Sequence, residues 1–123
     1  MVDALASPIR FIITPGHRGD WPQARRLVEG LDGVGHVIAD IAYDANHLRR
    51  FIDQQLGVSA ETPSNPSRAT KLPIDLDIHK ARHLVENCFL SIKRFRRISL
   101  RCEKTDSSFA AFVSLVGARK WIP

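Results

Sequence analysis

The stretch from His79 to Lys93, HKARHLVENCFLSIK, constrains the fold more than any other part of the chain. At 100° per residue, His79, Arg82, Glu86 and Lys93 fall together on one side of a helix, with Val85, Cys88, Ile92 and Phe95 on the other. Such a helix has to lay its apolar side on another layer, and a sheet is the expected support. Its polar side then carries a glutamate held rigidly among cationic and hydrogen-bonding neighbours. That arrangement suits a metal ligand beside a phosphate-binding surface.

The remaining segments supply that sheet. With 123 residues and 44% hydrophobic content, the chain buries one core and is expected to form one domain over residues 1–123. Val2 to Leu5 reads as the tail of a strand, joined through Ala6-Ser7 to a β-rich run, Pro8 to Thr14, that Pro15-Gly16 ends. Asp20 is the expected N-cap of a first helix, with Pro22 in its first turn, Ala24, Leu27, Val28 and Leu31 as its buried stripe and Gly33 as its stop. His36 to Ala39 is a short apolar strand finishing at Asp40. A second helix covers 46–56, with Leu48, Phe51, Ile52 and Leu56 on one side and Gly57 at its end. Val58 to Thr62 is a weaker strand candidate, so strand, helix, strand implies a right-handed crossover. Pro63 to Pro66 is a turn, Ser67 to Asp77 a loop, and Phe109, Phe112, Val113, Val116 and Trp121 mark a last amphipathic helix. Trp21 and Trp121 read as packing residues, and the order of elements is α/β.

Charge and cysteines narrow the function classes. Eighteen Lys and Arg against 13 Asp and Glu give +5 and an isoelectric point near 9.8, which favours a polyanionic partner such as nucleic acid. The run Lys93-Arg94-Phe95-Arg96-Arg97, with Arg101 and Lys104 beyond, is the candidate phosphate-tracking patch; its ordinary reading is a solvated basic face. Cys88 and Cys102 are too few for a disulfide framework or a zinc site and read as reduced thiols. No apolar run of membrane-spanning length and no basic-then-apolar leader is present, so a cytoplasmic protein without a membrane partner is expected.

Two motifs carry a family resemblance. His79, two residues, Arg82, three residues, Glu86, six residues, Lys93 resembles the Tyr-Arg-Glu-Lys signature of DDE transposases of bacterial insertion sequences, with His79 where the family usually has tyrosine. Val37-Ile38-Ala39-Asp40-Ile41-Ala42-Tyr43-Asp44 resembles the second-aspartate motif of the same family, an apolar strand ending in Asp-x-Gly/Ala-Tyr/Phe. The resemblance runs from about Val2 to Ile122 and is strongest toward the insertion-sequence-five group.

What the resemblance implies is specific. It implies a ribonuclease-H-like fold in which Asp40 and Glu86 are catalytic carboxylates and ligands of Mg2+ or Mn2+. It also implies DNA contacts from His79, Arg82, Lys93, Arg94, Arg96 and Arg97, and transposon ends and target DNA as partners. The family's first aspartate stands on an opening strand, and Asp3 is the one candidate here. Asp3 falls at the hairpin end of the second strand, so the fold is expected to be incomplete, with its opening strand missing. The chain then resembles the C-terminal part of a catalytic domain, inactive by itself. It would be joined to an N-terminal transposase part through a frameshift or to further copies of itself, or be the product of a decayed gene.

Other readings of the same residues stand beside this one. Asp40 also reads as a strand-end turn residue, Asp44 as a helix cap, and Glu86 with Arg82 as a surface pair four residues apart. For the whole chain the alternatives are a DNA-binding remnant without catalysis and an unrelated basic α/β domain.

Overall fold

A computed structural model describes residues 1–19 and 21–122. The chain is mixed α/β and forms two compact units, Thr14–Arg82 and Met1–Ile13 with His83–Pro123.

In the unit Thr14–Arg82, a 3₁₀ turn, Trp21–Gln23, leads into α1, Ala24–Val28. The expected cap Asp20 and the packing of Trp21 lie outside the described residues. Ala24 and Val28 are buried as the stripe required, but α1 stops well before Gly33. Glu29 is already extended, and Gly30 takes φ 71°, a left-handed conformation that ends a helix. β1, Val37–Ile38, and β2, Ala60–Glu61, pair in parallel, Val37 opposite Ala60 and Ile38 opposite Glu61. The connection between them contains α2, Asn46–Leu56, as a strand-helix-strand unit requires.

The sequence dictates α2 closely. Leu48 and Ile52, four apart, share a face and are buried. Each contributes about 1.5 to 3 kcal/mol relative to exposure. Gly57 closes the helix at φ 65°, its N–H donating to the Asp53 carbonyl at 2.9 Å. Arg25 lies over the Phe51 ring at 4.5 Å, covering the half-buried edge of the same face.

The single helix expected over 79–93 is not formed. α3, Leu76–Lys80, begins inside the segment expected to be a loop, because the Asp75 carboxylate accepts the Asp77 and Ile78 amides and starts a helix there. The backbone then tightens: Ala81 N–H donates to Ile78 O and Arg82 N–H to His79 O, both at 3.0 Å. These three-residue bonds end α3, and a new helix starts at His83. His79 and Arg82 therefore do not share a helix with Glu86 and Lys93.

In the second unit, the first residues turn back on themselves. Asp3 N–H donates to Ser7 O at 2.9 Å, Ile9 N–H to Met1 O at 3.1 Å, and Val2 bridges Pro8 in antiparallel fashion. The expected hairpin geometry is present, with Ala6 at φ 62° in its turn. Pro8 to Thr14, however, forms no strand beyond that bridge, since among the described residues no second strand pairs with it. α4, His83–Lys93, α5, Arg96–Ser99, and α6, Asp106–Arg119, complete the unit. Cys88, Ile92 and Val116 form its buried centre, with Val2, Phe95, Ile98 and Phe112 packed around them. That is the apolar side expected of the organising stretch, but it faces other helices and the amino-terminal hairpin and not a sheet.

Two local features hold α6. Thr105 caps its start, the hydroxyl accepting the Ser108 amide at 3.2 Å. A β-carbon on Gly117 would stand 3.3 Å from Pro8 Cγ, so the helix approaches the hairpin closely there. Trp121 lies beyond the end of α6 and is 57% exposed. It is anchored by its edge, Nε1 donating to Pro8 O at 2.9 Å.

Candidate functional site

Asp40 lies two residues past the end of β1, at the carboxyl end of a strand where ligands gather in open α/β sheets. Its Oδ1 accepts the Ala42 amide at 3.0 Å, capping the 3₁₀ turn Ile41–Tyr43. The strand-end turn reading of Asp40 is thus correct as local structure, and it orients the carboxylate without burying it. Glu86 is exposed in the first turn of α4, in the other unit, where the positive end of the helix favours a carboxylate.

The residue expected to cap α2, Asp44, does something else. The N-cap position belongs to Ala45, and the Asp44 side chain, fully buried, meets the side chain of Arg49 from that helix. Its Oδ1 accepts Arg49 Nε at 2.8 Å and Arg68 Nη2 at 2.8 Å, and its Oδ2 accepts the Asn65 amide at 2.6 Å and Arg68 Nε at 3.0 Å. Arg49 reaches on to the Ala60 and Thr62 carbonyls at 3.1 and 2.6 Å, and Arg68 to Asn46 Oδ1 at 2.6 Å. The clamp ties the turn that carries Asp40 to β2 and to the loop around Asn65. The Arg68 guanidinium holds the Asp44 carboxyl far below the usual carboxylate range, with Asn65 and Arg49 adding to it against the opposing effect of burial. Nothing local in the sequence announced this group, because Arg68 is 24 residues from Asp44.

His79 is half-buried, with Nδ1 3.1 Å from the Glu61 carbonyl at the end of β2. Glu61 is itself buried and accepts the Asp75 amide at 2.8 Å, so β2 and the start of α3 are laced together. Arg82 is half-buried and precedes α4 directly. Lys93 ends α4, Phe95 is extended, and Arg96 and Arg97 open α5. The basic run is therefore bent and does not follow one helix. Lys93, Arg94, Arg96 and Arg97 are all exposed. Arg97 pairs with Glu103 at 2.5 Å and lies 5.0 Å from the centre of the Phe112 ring, which gives it a fixed direction.

Two carboxylates with hard oxygen donors match magnesium or manganese in type, since such ions are held by one or two carboxylates together with substrate phosphates. Among the described residues no three His, Cys, Asp or Glu side chains gather into a metal-binding group. Asp3 is engaged locally, its Oδ1 accepting the Leu5 and Ser7 amides at 2.8 Å each. Among the described residues no helix is long and apolar enough to cross a membrane.

Known proteins give these features a context. The sequence matches the family described as Transposase DDE domain over residues 1–120. A protein of Brucella ovis, provisionally named transposase for insertion sequence element IS6501, is 52% identical over 122 residues, which is 99% of this chain and 94% of that protein. No solved structure matches the chain.

Proposed function

The chain belongs to the transposase DDE domain family, and on that premise we propose that it supplies the second aspartate and the glutamate of a ribonuclease-H-like catalytic domain. Asp40 and Glu86 are the two carboxylates, and DNA at transposon ends and at the target site is the substrate. The observation that carries the reading is Asp40 itself: a carboxylate at the carboxyl end of a parallel strand, within a sequence that matches the family over residues 1–120.

The chain's own residues have definite tasks in this reading. Asp40, its direction set by the Ala42 amide, and Glu86, exposed at the start of α4, present oxygen ligands that the substrate phosphate completes. Magnesium or manganese, when bound, supplies the charge that activates the attacking oxygen and stabilises the leaving one in an in-line displacement. Arg82 and Lys93 hold phosphates, the first through a planar fork and the second as a point charge. His79, Arg94, Arg96 and Arg97 extend the DNA contact. The protein works in the cytoplasm, where its DNA is.

The first aspartate of the set comes from outside this chain, from an N-terminal transposase part. What supports this is the place of Asp3 in the turn of the amino-terminal hairpin, between Val2, which bridges Pro8, and Ala6, where the family's first aspartate would need a strand end. A strand-transfer assay on transposon-end DNA tests the reading. The chain is supplemented with the polypeptide encoded immediately upstream, and Asp40→Asn and Glu86→Gln are compared with the wild type. Joined product that disappears in both variants supports it. Product that survives Glu86→Gln refutes it.

A further inference from the structure

An open groove of about 440 Å³ runs between the end of α4 and the end of α6. Its walls combine two chemistries. Ile92 and Val116 are its buried apolar floor, half-buried Phe95 and exposed Ile122 extend the apolar lining, and the cations Arg94, Arg119 and Lys120 complete it with no carboxylate among the lining residues. The negative ends of α4 and α6 together offset about one unit of charge, which still leaves the groove, with its three cations, net positive. Arg119 lies 5.9 Å from the centre of the Phe95 ring, so a planar cation and an aromatic ring are already paired at its edge.

We propose that this groove binds an unpaired nucleotide of single-stranded DNA, with the base against the apolar floor and its phosphates held by Arg94, Arg119 and Lys120. The proposal rests on the DNA-binding reading above and adds a site to it. A duplex keeps the flat faces of its bases stacked inside and offers phosphates, sugars and base edges, so it has no flat face to lay against Ile122 or Phe95. An unpaired nucleotide brings a flat apolar face and an anion together, and aromatic and guanidinium surfaces stack on bases without regard to sequence. The groove is also within the size range of sites that take one small molecule. It turns away from the side of α4 that carries Glu86: at 100° per residue, Ser91 and Ile92, which line it from α4, stand about 140° and about 120° around the helix from Glu86.

The test is fluorescence anisotropy with the full chain, a labelled oligothymidylate and a duplex of the same length. The double variant Arg119→Gln with Ile122→Ser alters two exposed side chains. It is expected to lower the preference for single strand over duplex about tenfold, the loss of roughly one stacked base. Unfolding curves of the variant and the wild type should coincide. An unchanged ratio overturns the proposal, as does a wild type that binds duplex but not single strand. So does a groove that instead takes a short Glu- and Phe-containing peptide, with that binding lost in the double variant and single-strand binding intact. A wild type that binds neither form of DNA refutes the DNA-binding reading itself.

Discussion

Asp44 and Arg68 meet through two parallel bonds, Oδ1 to Nη2 at 2.8 Å and Oδ2 to Nε at 3.0 Å, across 24 residues of sequence. The geometry is the fork-to-fork pairing that only arginine makes with a carboxylate. Asp44→Ala leaves two guanidinium groups facing a buried gap, and it should destabilise the chain by about 3 kcal/mol. Arg68→Lys should recover only part of the interaction, since an ammonium cannot reach both oxygens. Urea unfolding of the three proteins checks the order.

The same carboxylate sets a pH dependence. Its folded pKa lies below its unfolded one, so the stabilisation is complete above the ordinary carboxylate pKa. It is lost progressively as pH falls below about 4. Wild type minus Asp44→Asn, measured as unfolding free energy against pH, should be flat near neutrality and shrink toward zero in acid. A difference that stays constant down to pH 2 would show that the pair is not electrostatic in origin.

Gly57 offers a cleaner backbone test. It closes α2 at φ 65°, and a β-carbon there meets nothing within 4 Å, so the cost of a side chain is purely conformational. Gly57→Ala should destabilise by about 1 kcal/mol, measured by thermal unfolding, and leave DNA binding unchanged.

Much of the unit Thr14–Arg82 was legible in the sequence. The apolar spacing of Leu48 and Ile52 with Gly57 after them fixed α2, and the short apolar runs ending at Asp40 and Thr62 contain the two paired strands. Local signals suffice where a helix or strand is set by its own residues. They failed at 79–93, where the Asp75 cap and the tight turn at Ala81 and Arg82 divide one apparent helix into two. The periodicity on each side was real, but periodicity does not register a break that lasts only two residues. Phe95 is a second such case, interrupting the basic run between α4 and α5. The Asp44 clamp was hidden for a different reason: its partners come from a helix and a loop that only the fold brings together. Of the candidate site, the turn at Asp40 was legible as a strand end, whereas the bond from His79 to the Glu61 carbonyl was not.

Binding to DNA should be electrostatic and nearly indifferent to sequence. Lys93, Arg94, Arg96 and Arg97 are exposed on a bent segment, and such side chains follow phosphates and do not read bases. Log affinity for duplex should fall against log salt at about 0.9 per phosphate contacted. Charge reversal at Arg96 and Arg97 should weaken binding to all duplexes alike and flatten that slope. An affinity independent of salt would contradict the basic-surface reading.

The central claim, that Asp40 and Glu86 are catalytic carboxylates awaiting a third from outside the chain, is tested most directly by nicking and strand transfer with magnesium or manganese. The chain by itself should leave transposon-end DNA intact. Supplemented with the upstream polypeptide it should cut and join, and Asp40→Asn or Glu86→Gln should each lower that activity at least about a hundredfold, the cost of losing one oriented transition-state contact. Activity in the unsupplemented wild type that vanishes in Glu86→Gln would contradict the missing third carboxylate, and Asp3 would become the residue to replace next.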